Sequence, residues 1–232
     1  MQNYCKTIGA LAAASALVAG NASAEVEYEI HTGYSSEYIF RGADLGNDLV
    51  EAGLDAATEV NGWGLSAGVW ATAFDAGIPG DDVNSETDFY AEVSRDVGFA
   101  TLAAGYIYYW NVGNLGNDAQ EAYLQASRDF GFATASLTYF FDIDGGNTNG
   151  YTELALSRSW ELNQCLNLNV CSNVGYQSDE GDFTSWTTKV ALDWGFAEHA
   201  KLSPFVALSV DLADVTGLDD EFIAGSMLSV SF

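Results

Sequence analysis

The connections along this chain alternate between short and long, and that alternation constrains the fold more than any single motif. Strand-length segments fall at 26–35, 49–60, 64–74, 88–95, 100–110, 120–128, 133–141, 151–160, 166–177, 185–194, 201–212 and 222–232. Tight turns at Asn61-Gly62, 96–98, 129–131 and 195–200 interleave with longer polar connections at 36–48, 75–87, 111–119, 142–150, 178–184 and 213–221. Asn-Gly is the strongest short hairpin signal, because a two-residue turn needs positive φ at both central positions. Short turns at one end and long loops at the other are the pattern of an up-and-down transmembrane barrel. About twelve strands fit, an even number, which returns both termini to the short-turn side.

Side-chain alternation within the segments agrees. Val50, Ala52, Leu54 and Ala56 share one face of the second segment, against Glu51, Gly53, Asp55 and Glu59. Phe89, Ala91 and Val93 oppose Asp88, Tyr90, Glu92 and Ser94, and Ala122 and Leu124 oppose Glu121, Tyr123 and Gln125. Period two is the mark of a strand wall with one apolar and one polar face. A soluble β-sandwich shares that periodicity. Against it, Trp63, Tyr106, Tyr108, Trp110, Trp160 and Trp194 cluster near segment ends, as interfacial belts do. The segment 93–101, VSRDVGFAT, recurs at 126–134 as ASRDFGFAT, one hairpin and one loop apart.

The two ends fit the same reading. Lys6, an apolar run over 8–20 and Ala22-Ser23-Ala24 make a signal peptide cleaved after Ala24, leaving 25–232 as one barrel domain. Beyond residue 24 no window of about 18 apolar residues remains to cross a membrane as a helix. The terminal segment ends on Phe232, like the signal that hands outer-membrane proteins to the barrel-assembly machinery. The expected fold is therefore all-β: a transmembrane antiparallel up-and-down barrel in a Gram-negative outer membrane, with both termini periplasmic.

Charge narrows the function. The chain has 33 acidic and 7 basic residues, for a net charge of -26. A nucleic-acid partner is excluded, since nothing would neutralise phosphates. Glu51, Asp55, Glu59, Asp88, Glu92, Glu121, Glu153, Asp193 and Asp211 are assigned to the lumen, with Lys189 as the one clear inward cation. Rings of carboxylates favour cations in pores. A cation-preferring channel for small solutes or ions is the leading reading, and a filled, non-conducting or adhesive barrel is its alternative. Acidic loops (Asp81-Asp82, Asp179-Glu180, Asp219-Asp220-Glu221) suit bridging to lipid and lipopolysaccharide phosphates through divalent cations. Asp142-Ile143-Asp144-Gly145-Gly146-Asn147 faintly resembles a calcium loop but lacks the closing Glu.

Enzymatic and metal chemistry find little purchase. His31, on the face of Glu27 and Glu29, and His199, in a turn, are read as ordinary polar histidines, so no catalytic set is assigned. No cofactor and no metal site is expected. Cys165 and Cys171 are six residues apart, about 20 Å along one strand. A disulfide between them requires a turn at 166–170, and both arrangements stay open.

The segment 33–42, GYSSEYIFRG, resembles the opening motif of the TorF-like porin family, in which a first strand runs into Tyr-x-Phe-Arg-Gly. Residues 62–71, GWGLSAGVWA, look like that family's next hairpin. The resemblance implies a porin-like role. Tyr38, Phe40, Arg41 and Gly42 carry the motif, with Tyr38 and Phe40 expected in the aromatic girdle and Arg41 reaching toward the acidic lumen. The chain departs from the pattern at Ala43-Asp44-Leu45.

Overall fold

The structure is a computed structural model that describes residues 25–76, 84–112, 117–144, 150–212 and 220–232. The signal-peptide reading, Asp81-Asp82, Asp219 and the Gly145-Gly146-Asn147 half of the calcium-like segment fall outside the described residues.

Twelve strands form one closed antiparallel barrel, each paired with its neighbours in sequence. They are β1 (Glu27–Phe40), β2 (Ala43–Val60), β3 (Trp63–Asp75), β4 (Asn84–Asp96), β5 (Thr101–Val112), β6 (Ala119–Asp129), β7 (Thr134–Asp142), β8 (Tyr151–Asn163), β9 (Leu166–Gln177), β10 (Asp182–Ala197), β11 (Ala200–Asp211) and β12 (Glu221–Ser231). The seam closes between β1 and β12, from Glu29 opposite Ser231 to Ser35 opposite Gly225. There the Tyr28 and Phe232 backbones exchange hydrogen bonds of 2.9 and 3.0 Å, and their rings stack at 6.0 Å. Closure leaves no sheet edge, the condition for a strand structure to sit in lipid.

The wall is inverted relative to a soluble protein. Leu54, Phe89, Leu124, Leu154, Leu156, Trp186 and Leu208 face outward and exposed, while Asp55, Asp88, Glu92, Glu121 and Asp193 are buried inside. β4 shows the reason most clearly. Asn84, Glu86, Asp88, Tyr90, Glu92 and Ser94 alternate inward with exposed residues such as Phe89 and Val93, and a one-residue slip would exchange the two faces.

The tight turns repeat in geometry as in sequence. Asp96 and Asp129 each accept a 2.7 Å hydrogen bond from the glycine two residues on, Gly98 and Gly131. Both glycines have positive φ (90° and 82°), which spares them the Cβ clash another residue would meet.

The long-loop end departs from expectation twice. The connection expected over 178–184 is a tight turn, closed by the Gly181 amide on the Gln177 carbonyl at 2.9 Å. The loop expected over 36–48 is not a loop. β1 runs on to Phe40, turns at Arg41-Gly42 and returns as β2 from Ala43. Arg41 and Gly42 both have positive φ (54° and 91°), as a two-residue hairpin turn requires. Polar composition suggested a loop here, whereas the Arg-Gly pair carried the turn signal. Beyond Ser35, β1 no longer pairs with β12, and before Asn47, β2 does not pair with β3. Residues 37–40 and 43–46 thus form a two-stranded ribbon outside the wall.

The structure decides between the two cysteine arrangements left open by the sequence. β9 begins at Leu166, so the turn lies before Cys171 rather than between the two cysteines. Cys165 is an exposed free thiol in that turn, Cys171 is buried within β9, and no Cys165–Cys171 bridge forms.

Candidate functional site: the lumen and its inturned hairpin

The ribbon folds into the barrel. Tyr38 is fully buried, and its hydroxyl donates to Glu86 of β4 at 2.8 Å. Its ring packs on Trp70 and Phe74 of β3 at 5.9 and 4.9 Å. The next residue, Ile39, belongs to a second cluster with Phe205, Ala207 and Ile223 of β11 and β12. Consecutive side chains therefore anchor the ribbon to opposite arcs of the wall. Tyr38 and Phe40 line the lumen, not the girdle expected from the sequence, because the strand carrying them has left the wall.

Arg41, at the tip, reaches β6, five strands from β1 in one direction and seven in the other. Its guanidinium donates two hydrogen bonds to Glu121, at 2.8 and 2.7 Å. The rings of Phe40, Phe140 and Tyr151 surround it at 4.7, 4.7 and 4.3 Å. Bidentate pairing and ring stacking suit guanidinium and not ammonium. Burial opposes the charge, and the bidentate Glu121 carboxylate offsets that cost. Gly42 rests against Ser185 of β10, where a Cβ would fall 2.7 Å from that residue's Cβ. A small cavity remains beside the tip, bordered by Arg41, Tyr151, Asn173, Ser185 and Thr187.

The charged residues assigned to the lumen divide into three groups. Asp55, Asp88, Glu92, Glu121 and Asp193 are buried inside. Glu51, Glu153, Lys189 and Asp211 are half-buried: Glu51 accepts from the Trp70 indole at 2.5 Å, Glu153 from Asn173 at 2.7 Å, and the Lys189 ammonium lies 3.8 Å from the centre of the Phe205 ring. Glu59, beside the Asn61-Gly62 turn, is exposed and lines no enclosed part of the lumen.

The residues that sequence reasoning missed are the partners of these acids. Phenols donate to carboxylates along the inner wall: Tyr38 of the hairpin to Glu86, Tyr90 to Asp55, Tyr109 to Glu121 and Tyr123 to Glu92. Glu86 was hidden in an expected loop. The rings lie flat because small residues sit opposite them in register: Gly68 faces Tyr90, and Gly105 faces Tyr123. A Cβ on either glycine would collide with the opposing ring. Isolated inward glycines within strands were the available signal, since they mark close approach.

A closed antiparallel barrel with an apolar outer belt and a polar interior defines a transmembrane β-barrel of the outer-membrane type. The chain is similar in fold to the COG4313 outer-membrane channel from Pseudomonas putida F1, with a TM-score of 0.59, 12% identity, and 92% of this chain and 97% of that one covered. It is similar also to the NanC porin, with a TM-score of 0.54, 11% identity, and coverage of 88% and 98%. The Gcw_chp family, described as a bacterial protein of unknown function, matches residues 19–222, and the chain belongs to that family. No curated protein matches it in sequence.

Proposed function

We propose that this barrel is a porin-like outer-membrane channel for small solutes or ions, cation-preferring and constricted by its own β1–β2 hairpin. The observation that carries the reading is the lumen lining: Asp55, Asp88, Glu92, Glu121 and Asp193 are enclosed, and acidic linings favour cations over anions. The resemblance of 33–42 to TorF-like porins and the fold shared with named channels support the same class. In this reading the short turns and both termini face the periplasm, Phe232 engages the assembly machinery, and the acidic loops meet lipopolysaccharide through divalent cations.

A twelve-stranded barrel lies between barrels filled by side chains and the wide 16–18-stranded channels. Here aromatic side chains and the hairpin occupy much of the interior, which favours a low-conductance resting state as the second reading. Planar-bilayer recording under a salt gradient tests both. The proposal expects small conductance steps and a reversal potential of cation-selective sign. Anion selectivity refutes it, and silence of both the native chain and an R41A variant establishes the filled barrel instead.

A further inference from the structure

We infer that the lumen holds a divalent transition-metal site, built from Glu29, His31 and Asp55 toward the short-turn end. One donor atom from each of these three side chains lies within 4.8 Å of the others. His31 Nδ1 is 3.3 Å from Asp55 Oδ2. Two ligands of a tetrahedral ion with bonds of about 2.0–2.1 Å stand roughly 3.3 Å apart, so one edge of the coordination polyhedron already exists. His31 is only 4% exposed, yet its Nδ1 makes no hydrogen bond. Asp55 Oδ2 is an ion-pair neighbour of Nδ1 but not its hydrogen-bond partner, and native proteins seldom leave a buried ring nitrogen without one. A metal ion bound at Nδ1 supplies the missing partner.

The surroundings hold the set in place. His31 is directly opposite Gly53 in the β1–β2 register, and a Cβ at that position would collide with the imidazole. Only glycine leaves the ring this seat. The Tyr90 hydroxyl donates to the other oxygen of Asp55, fixing the carboxylate while Oδ2 faces His31. Such a partner orients a ligand in the manner common around metal ions. Glu29 remains 23% exposed and provides the solvent side through which an ion enters. Its neighbour Lys201, 3.7 Å away, is the competing cation for that carboxylate.

The donor set selects the ion. One imidazole nitrogen with two carboxylates suits Zn²⁺ and its first-row neighbours, whereas Mg²⁺ and Ca²⁺ prefer oxygen alone. The site is built on strand residues, two of them buried, and not on loop acids, and it stands whether or not the barrel conducts.

The test is calorimetric titration of Zn²⁺ into the tag-free chain refolded in detergent, in excess Mg²⁺. One equivalent is expected to bind. The affinity should fall at least tenfold in H31Q and in E29Q, and stay unchanged in H199A, which removes the exposed histidine beside Glu198. Co²⁺ substitution gives a second readout, a visible absorption band present in the native chain and absent in E29Q. Should H31Q fail to fold, E29Q decides the question alone, since Glu29 is the least enclosed of the three. Absence of saturable Zn²⁺ binding, or equal binding by native chain and E29Q, overturns the proposal.

Discussion

Two turns in this barrel share one backbone solution and live in opposite surroundings. Asn61-Gly62 joins β2 to β3, and Arg41-Gly42 joins β1 to β2; both have positive φ at both residues. Around Gly62 a Cβ would meet nothing within 4 Å, whereas at Gly42 it would strike Ser185. Asn61 is exposed, whereas the Arg41 side chain is 18% exposed and bound to Glu121. The same local chemistry thus closes a hairpin in water and seats one inside a lumen. The difference is made by partners distant in sequence: Glu121 is 80 residues from Arg41.

Substitutions at the two turns can break or sharpen this contrast. The largest effect is expected from R41A, which strands Glu121 as an enclosed charge. Removing one member of a buried pair costs about 3–5 kcal/mol. We expect a lower urea midpoint for unfolding in detergent and larger conductance steps, because the tip loses its anchor. N61A should change neither conductance nor selectivity.

Next comes G42A. A left-handed Ala costs about 1–2 kcal/mol, and contact with Ser185 adds to it. G62A carries the strain alone, so its urea midpoint should fall less than that of G42A. Equal losses would mean that the tip is not packed against β10.

R41K should sit between native and R41A. The ammonium keeps the charge but loses the bidentate geometry and the stack of three rings. Its conductance should lie nearer the native value, while R41A approaches a barrel without the plug. The smallest effect is expected from Asn61→Gly, since glycine adopts the same φ freely. The added freedom of glycine in the unfolded chain should lower stability, read from the urea midpoint, by no more than about 0.4–1 kcal/mol.

Much of the wall was legible in the sequence, and the contents of the lumen much less so. Period-two alternation assigns Asp88 and Glu92 inward and Phe89 and Val93 outward, because side chains of a strand must point to alternate faces. The Asp-x-Gly turns repeat in structure because they repeat in residues. The inturned hairpin was not legible. Nothing local tells a polar ribbon that enters a lumen from one that stands in water, and the deciding contacts reach β4, β6, β10 and β12. Whether Cys165 and Cys171 pair was left open by the sequence for a related reason: turn position is set by pairing of Asn163 with Leu166 across β8 and β9, not by the spacing of the cysteines. The four tyrosine–carboxylate pairs needed cross-strand register before either member could be matched.

The anchoring of the hairpin also dictates an order of events. Its residues occur early in the chain, yet Ile39 packs on β11 and β12, Gly42 on β10, and Arg41 on β6. The contacts to β10, β11 and β12 require those late strands to be in place, whereas the Arg41–Glu121 pair requires only β6. The tip is therefore fully seated only in the complete barrel, which holds it from several sides at once.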